Sequence, residues 1–321
     1  MGRLARQQVT DNVFGGPWTE IKLDAVEYYL KCYTRALKRA GFRLTYIDGF
    51  AGTGTRVSER VAGGLLDGGG PLHKVRETLA GSALRALAVE PHFDSLVFIE
   101  KDQRRCDALA EIAAAHPSRD IKIITGEANP VLRDLVRQHP WVLREKSESR
   151  GVVFLDPYAL QVEWKTLQVL AATRVLDVWY LFPIRDTIRQ LARNFSGIGP
   201  KEPMLDRLLG PEWRELYSIT PEHVSTMDMF KEQLEPELRR VVSVQQLEGW
   251  LKRRLEGEFA FMSEPLPLLT APSRQAFSLF LGVSNPSRRA VNLAKQFVRY
   301  VNRHFGPAAS RHTSGRGASD R

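Results

Sequence analysis

The chain has 321 residues, which is enough for one large α/β domain with a substantial insertion. Its 46 Lys and Arg against 37 Asp and Glu give a formal net charge of +9, which favours a polyanionic partner such as nucleic acid. The two cysteines, Cys32 and Cys106, argue against a disulfide framework or a cysteine metal site. The lack of a long apolar run or an apolar leader predicts a cytoplasmic protein without a membrane segment.

A helix is expected ahead of the first strand, because apolar residues recur at helical spacing over residues 23–37. Trp18 and Lys22 lie just before this stretch. The lysine amine could reach over a cofactor site there, or it could belong to a solvated helix start. Both alternatives remain open at this point.

The first strand, residues 44–47, runs into a turn with three glycines. Their G-x-x-G-x-G spacing differs from the G-x-G-x-x-G of dinucleotide sites, and no G-K-[ST] follows as in a P-loop. Such glycines let the backbone pass beneath a bulky ligand and tolerate positive φ, although a Gly-rich turn can also be a plain tight turn. Asp48 closes the strand where a methyltransferase places a carboxylate near the amino-acid part of S-adenosylmethionine. The candidate binding residues are Asp48, Gly49, Phe50, Gly52 and Gly54.

Residues 55–93 are rich in glycine and predict a long loop that contains a short helix over residues 82–89. Loops of this length are commonly functional lids or disordered segments. This one follows the glycine turn directly, so it could cover a ligand bound there.

The second strand, residues 96–99, ends at Glu100 with Asp102 close behind. In ligand-binding α/β sheets, an acid at the tip of the second strand accepts hydrogen bonds from both ribose hydroxyls. Glu100 is the candidate for that contact. Asp102 is better suited to the alternative role, a negative charge at the start of the next helix.

The third strand, residues 121–124, is followed by Glu127 and Asn129. An acid or amide just past this strand is commonly the group that reads an adenine amino group, and both residues are placed for it. Asn129 precedes Pro130 and could equally be a helix cap.

A fully buried fourth strand, residues 152–155, ends in Asp156, Pro157 and Tyr158. Such an end can hold a planar substrate: the acid accepts a hydrogen bond from an exocyclic amine and directs the nitrogen lone pair towards a sulfonium methyl, while the aromatic ring stacks on the base. The alternative is an ordinary turn whose tyrosine packs into the core. These three residues are the catalytic candidates.

Residues 184–256 follow the fifth strand (residues 178–182) and are strongly helical and rich in arginine. Such runs are usually solvated faces, but this position predicts a helical insertion that could cap the site and bind substrate or partner. Residues 257–305 predict two last strands and a final helix, and residues 306–321 predict a disordered basic tail. The expected cofactor-binding core is residues 1–183, completed by the last strands and helix.

Five segments in chain order resemble the family called three-Cys-motif partner protein (TcmP), over roughly residues 17–305. Trp18 and Lys22 belong to the same pattern. The segments are residues 46–54 (YIDGFAGTG), 98–100 (FIE), 126–129 (GEAN), 154–158 (FLDPY) and 179–183 (WYLFP). The resemblance implies an α/β, Rossmann-like class I methyltransferase fold. The expected sheet has seven strands, is mostly parallel, and has an antiparallel last strand.

The resemblance also implies a partner that carries a three-cysteine motif, suggestive of iron–sulfur or radical chemistry. With two cysteines this chain cannot supply that motif itself. Two positions depart from the usual patterns. Tyr158 stands where amino-methyltransferases have the second proline of D-P-P-[YFW], and Glu127 stands where the family and many methyltransferases have aspartate.

Two hypotheses follow from these residues. The first is a methyltransferase that uses S-adenosyl-L-methionine on an exocyclic amine of a nucleic-acid base, with no need for a metal and with a three-cysteine-motif protein as partner. The second is a non-catalytic partner or scaffold protein that keeps the fold and binds nucleic acid or an iron–sulfur enzyme. A nicotinamide-dependent oxidoreductase is disfavoured because its glycine spacing differs.

Overall fold

The computed structural model describes residues 17–64, 70–138, 148–219, 238–271 and 274–305. The chain divides into two units. The first consists of Met1–Ala128 with Glu148–Gly151, and the second of Asn129–Ser147 with Val152–Arg321. The functional boundaries expected at residues 183, 256 and 305 stay a prediction, because a division by compactness does not test them.

Parallel strands form the sheet of the first unit, which is the expected Rossmann-like α/β arrangement. Its elements are α1 (Pro17–Arg39), β1 (Arg43–Asp48), β2 (Thr55–Gly64), β3 (Gly70–Ala80), α2 (Ser82–Leu87), β4 (Ser95–Glu100), α3 (Gln103–Ala114) and β5 (Ile121–Thr125). β4 lies between β1 and β5 and is parallel to both. The carboxyl ends of β1 and β4 therefore lie side by side, with Asp48 paired in register with Phe98.

In the first unit, the burial of β4 and the start of α3 both follow from their sequences. Residues 96–100 of β4 are buried without interruption, as expected for a strand covered on both faces. Asp102 caps α3, since its side chain accepts a hydrogen bond from the Arg105 N–H at 3.1 Å. The helix-start role expected for Asp102 is thereby confirmed.

Residues 55–93 are not the long loop that their glycines suggest. β2 and β3 form an antiparallel hairpin, with pairing from Thr55↔Ala80 to Gly64↔Gly70, and α2 follows it. Gly64 pairs with Gly70 at the far end of this pairing, where turn residues are favoured. The β-branched residues Thr55, Val57 and Val61 recur at even spacing, which is the strand signal that the glycines obscured.

The second unit contains the antiparallel last strand expected from the sequence. Its elements are most of α4 (Ala128–Gln138) and of β6 (Ser149–Leu155), then α5 (Trp164–Ala172), β7 (Leu176–Phe182), α6 (Ile184–Gln190), α7 (Glu202–Leu209), β8 (Tyr217–Ile219), β9 (Leu238–Arg240), α8 (Val244–Glu258), β10 (Phe261–Met262), β11 (Leu266–Ala271), β12 (Arg274–Val283) and α9 (Arg288–Phe305). β12 is antiparallel to β7, β10 and β11, and β7 neighbours β6. β11 occupies the proline-rich connection, where an edge strand tolerates Pro267.

The arginine-rich residues 184–256 are mainly helical in their described part, as expected, but they also contain the short pair β8 and β9. The tail expected to be disordered, residues 306–321, lies outside the described residues. None of the described helices combines the length and the apolar character needed to cross a membrane.

Asp206 stabilises the arginine-rich segment through a buried tryptophan. Its Oδ1 accepts hydrogen bonds from Trp213 Nε1 at 2.7 Å and from Arg214 Nη1 at 2.6 Å, and Trp213 is fully buried. We expect Asp206→Ala to lower the free energy of unfolding by about 1–3 kcal/mol, because the indole N–H loses its partner. Denaturant unfolding of the purified variant measures this loss, and a variant as stable as the wild type would contradict it.

The same carboxylate predicts a pH effect. The hydrogen bond from Arg214, with that from Trp213, holds the pKa of Asp206 below its ordinary value of 3.8. A lowered pKa stabilises the folded state fully above pH 3.8, and this contribution is lost as the pH falls through the folded-state pKa. Asp206→Asn retains an acceptor but no charge. The difference in unfolding free energy between the wild type and this variant should therefore shrink as the pH falls through the folded-state pKa of Asp206, which denaturant unfolding at a series of pH values measures.

Candidate functional site

The carboxylate of Glu100 joins the ends of two neighbouring strands in the first unit. Its Oε2 accepts a hydrogen bond from the Gly52 N–H at 3.0 Å, and its Oε1 accepts from the N–H groups of Lys101 at 2.9 Å and Asp102 at 3.0 Å. The side chain is only 7% exposed. Glu100 therefore holds the glycine turn against the end of β4, and it brings two of the predicted site residues together.

These backbone contacts limit what else Glu100 can bind. An ionised carboxylate offers about four acceptor positions, and three are occupied by N–H groups of the chain. Arg105 Nη1 lies 3.8 Å from Oε2. By this count one acceptor position remains, and the contact with both ribose hydroxyls expected from the sequence stays a prediction.

The buried side chain of Asp48 stabilises the glycine turn through hydrogen bonds. It is fully buried; its Oδ1 accepts from the Phe50 N–H at 3.1 Å and its Oδ2 from the Tyr46 hydroxyl at 3.2 Å. A carboxylate that accepts from a backbone N–H two residues later forms an Asx-type turn. The chain therefore bends sharply after β1, and Gly49 is buried within the bend.

Two glycines of the turn have the left-handed backbone that the sequence suggested, Gly52 at φ +62° and Gly54 at φ +75°. Gly54 also makes a close backbone contact with Gly81, whose N–H donates to the Gly54 carbonyl at 2.9 Å. A Cβ on Gly81 would lie 2.8 Å from that oxygen. The sequence did not single out Gly81, because its partner lies across the hairpin.

Gly54→Ala should destabilise the turn more than Gly52→Ala. Both variants force an alanine into the left-handed region, at about 1–2 kcal/mol. A Cβ on Gly54 would also lie 2.5 Å from Ile112 Cδ1 and 3.3 Å from Leu109 Cδ2, whereas a Cβ on Gly52 meets nothing within 4 Å. We expect a total loss of about 2–4 kcal/mol for Gly54→Ala in urea unfolding. Equal losses in the two variants would show that Ile112 moves aside without cost.

The two candidates for adenine recognition have different surroundings. Glu127, in the first unit, is 64% exposed, with Oε1 3.5 Å from Lys101 Nζ. Asn129, in the second unit, lies inside α4. Its Nδ2 donates to the Gln161 carbonyl at 2.7 Å, and its Oδ1 accepts from the Glu163 N–H at 3.0 Å and from Thr166 Oγ1 at 2.9 Å. Asn129 thus binds the segment that leads into α5, and the accessible acceptor of the two is Glu127.

The catalytic candidates form a turn at the end of β6 in the second unit. Pro157 is buried, Asp156 is half-buried, and Tyr158 is 76% exposed. The alternative in which this tyrosine packs into the core is therefore wrong. The Tyr158 N–H donates to Oε1 of Gln161 at 3.1 Å, which fixes the backbone of the turn.

Gln161 is a supporting residue that sequence reasoning missed. Its carbonyl accepts from Asn129 and its side chain accepts from the Tyr158 N–H, so it joins the turn at the end of β6 to α4. Arg133 adds a second link, since its Nη1 contacts Glu163 at 2.6 Å and Thr166 at 2.9 Å. No local pattern marks Gln161, because its partners lie at different distances along the chain.

Lys22 is buried rather than solvated. It is 4% exposed, and its Nζ lies 5.3 Å from the centre of the Trp18 ring. A cation over an indole face at this distance is attracted by the ring. The solvated alternative for this lysine is wrong, and its contact with a cofactor stays a prediction.

Comparisons with known proteins were made for sequence and for structure. No protein-family model matches the chain, and no curated protein matches it. Among solved structures, protein LPL1258 from Legionella pneumophila is 12% identical with a TM-score of 0.47, covering 91% of this chain and 94% of that one. An S-adenosylmethionine-dependent methyltransferase from Clostridium acetobutylicum is 8% identical with a TM-score of 0.33, covering 83% and 92%. The N-terminal domain of EvdMO1 with SAH bound is 14% identical with a TM-score of 0.33, covering 84% and 99%.

Proposed function

We propose that this chain is a methyltransferase that uses S-adenosyl-L-methionine. The observation that carries the proposal is the contact between the Glu100 carboxylate and the Gly52 N–H. It joins a glycine turn and a buried acid at the carboxyl ends of two adjacent parallel strands, which is where open α/β sheets bind their ligands.

The residues of the turn fit this cofactor. Gly52 leaves open space where a Cβ would lie, whereas a Cβ on Gly54 would be directed at Ile112 and Leu109. Asp48, Gly49 and Phe50 would line the methionine part, while the remaining acceptor position of Glu100 suits one ribose hydroxyl. Glu127, exposed beyond β5, would accept from the adenine amino group. The bound cofactor supplies an electrophilic methyl group on a sulfonium.

The proposed substrate is an exocyclic amine of a nucleic-acid base. Asp156 would accept a hydrogen bond from the amine and take the proton that the nitrogen loses when its bond to the methyl carbon forms. The exposed ring of Tyr158 offers a surface on which a base can stack, and such stacking is tolerant of sequence. Pro157, buried beneath the turn, would hold the two side chains in place, and catalysis would come mainly from positioning.

Membership of the TcmP family, with a three-cysteine-motif protein as partner, is part of the same proposal. It is supported by the five ordered sequence segments, and the two cysteines of this chain are too few to form the motif themselves. A cluster held by a cysteine motif would then belong to the partner.

A non-catalytic partner or scaffold protein is the second candidate, and one observation favours it. Three backbone N–H groups occupy most of the acceptor positions of Glu100. A carboxylate used in this way can hold a turn without any ligand. The two candidates therefore differ in whether the chain binds the cofactor.

The test begins with mass spectrometry of any small molecule retained on the purified protein, followed by calorimetry with S-adenosylmethionine. The same preparation is then incubated with radiolabelled cofactor and total RNA or DNA. Cofactor binding with label transferred to nucleic acid supports the methyltransferase. Nucleic-acid binding with no heat of cofactor binding and no transfer would overturn it in favour of the scaffold.

A further inference from the structure

We propose that the outer face of α9 is a docking surface for the phosphate backbone of nucleic acid. The helix has 18 residues, with five lysines and arginines and no aspartate or glutamate. The basic residues are Arg288, Arg289, Lys295, Arg299 and Arg303. This inference deepens the proposed function by naming where its nucleic-acid substrate would bind, and it rests on that proposal.

The basic residues of α9 share one side of the helix. At about 100° per residue they fall within an arc of about 120°, and all of them are exposed. Ala294 and Val301, on the opposite side, are both 3% exposed, and α9 contacts β12. A helix of this length presents a positive surface about 27 Å long.

The charges of this face are not neutralised within the described part of the chain. Some basic side chains elsewhere in the second unit are paired with carboxylates, as in Arg189 with Asp186 at 3.4 Å and Arg254 with Glu212 at 2.5 Å. The five basic residues of α9 form no ion pair with any described carboxylate. Lys295 instead lies 5.7 Å from the centre of the Phe261 ring. Unpaired like charges along one face repel each other, and a row of phosphates relieves that repulsion while releasing its counterions.

Nucleic acid fits this face better than a lipid surface does. A helix that lies in a membrane interface must insert its apolar side, but the apolar side of α9 is directed at β12. Tyr300 is exposed at the edge of the basic face and stacks on His304, with ring centres 3.7 Å apart. An aromatic group beside phosphate-binding arginines is the combination that single-stranded nucleic-acid sites use.

The test compares nucleic-acid binding by the 321-residue chain and by a quadruple variant, using fluorescence anisotropy. The variant is Arg288→Gln, Lys295→Gln, Arg299→Gln and Arg303→Gln. The probes are a labelled RNA oligonucleotide and the DNA oligonucleotide of the same sequence, each over a series of salt concentrations. We expect affinity to fall at least tenfold and the slope of log K against log salt to decrease by about three, since each of the four lost phosphate contacts on a single strand contributes about 0.7.

A charge-matched control carries Arg35→Gln, Arg39→Gln, Arg104→Gln and Arg207→Gln, four exposed arginines on other helices. It should retain the affinity and slope of the wild type. Equal losses in both variants, an α9 variant that binds like the wild type, or a wild type that binds neither probe would each overturn the proposal. So would a loss confined to binding of vesicles of phosphatidylserine and phosphatidylcholine.

The cofactor assay separates this proposal from the one on which it rests. The α9 variant should bind S-adenosylmethionine as the wild type does in calorimetry, with unchanged helicity by circular dichroism. If the chain binds nucleic acid through α9 but no cofactor, the methyltransferase proposal fails and the docking surface stands. If it binds cofactor while the α9 variant keeps its nucleic-acid affinity, the docking surface fails alone.

Discussion

Replacing Glu100 by alanine should weaken the binding of S-adenosylmethionine by at least about tenfold, or about 1.4 kcal/mol. The change removes the acceptor proposed for the ribose and frees the Gly52 N–H, which Glu100 Oε2 holds at 3.0 Å. It also leaves the N–H groups of Lys101 and Asp102 without the acceptor they share. The cofactor would therefore meet a looser turn as well as a missing contact. Calorimetry measures the affinity, and thermal unfolding measures the turn.

Two further variants separate the contact from the turn. Glu100→Gln offers a single acceptor oxygen, so its NH₂ group would face backbone N–H donors at the position of either Oε1 or Oε2. We therefore expect losses of affinity and stability between those of the wild type and Glu100→Ala. Glu127→Ala removes the acceptor proposed for the adenine amino group, so it should weaken binding of the cofactor. Because this side chain is 64% exposed, its removal should not change stability. An unchanged affinity in Glu100→Ala would remove the ribose assignment.

Asp156→Ala should reduce the rate of methyl transfer by about 10²–10⁴-fold, as expected when a positioned proton acceptor is lost. Affinity for the cofactor should stay within about threefold, a change of less than 1 kcal/mol. Single-turnover transfer from radiolabelled cofactor to nucleic acid measures the rate. A variant with the wild-type rate would exclude Asp156 as the acceptor.

Tyr158 supplies the matched comparison for the same turn. Tyr158→Phe keeps the ring and should keep the rate, while Tyr158→Ala should weaken substrate binding by about 1–3 kcal/mol, the usual contribution of base stacking. Because the side chain is 76% exposed, neither change should affect unfolding. A loss of stability in Tyr158→Ala would show that the ring packs against the protein instead.

Strands β1, β4 and β6 were predictable because each contains a short apolar run that is followed by an acid. Residues 152–155 are buried at every position, as a continuous apolar run predicts for a central strand. The hairpin of β2 and β3 was missed because its glycines resemble a loop when read locally, whereas its pairing joins Thr55 to Ala80. Pairing between distant residues leaves little local signal.

Some parts of the candidate site were likewise predictable from the sequence, and others were not. Asp48 and Glu100 were identifiable, because an acid at a strand end stands out in a single sequence. The three N–H groups that Glu100 binds, and the link through Gln161 between Asn129 and Tyr158, were not. These contacts depend on backbone geometry, and almost any residue type could supply an N–H or a carbonyl.

The contact between Gly54 and Gly81 gives the hairpin a mechanical relation to the glycine turn. The N–H of Gly81 reaches the Gly54 carbonyl at 2.9 Å, with no room for a side chain between the two backbones. A displacement of the hairpin at its base would therefore move Gly54, in the turn proposed to bind the methionine group. If a macromolecule that binds the hairpin changes the affinity for the cofactor by some factor, bound cofactor must change the affinity for that macromolecule by the same factor.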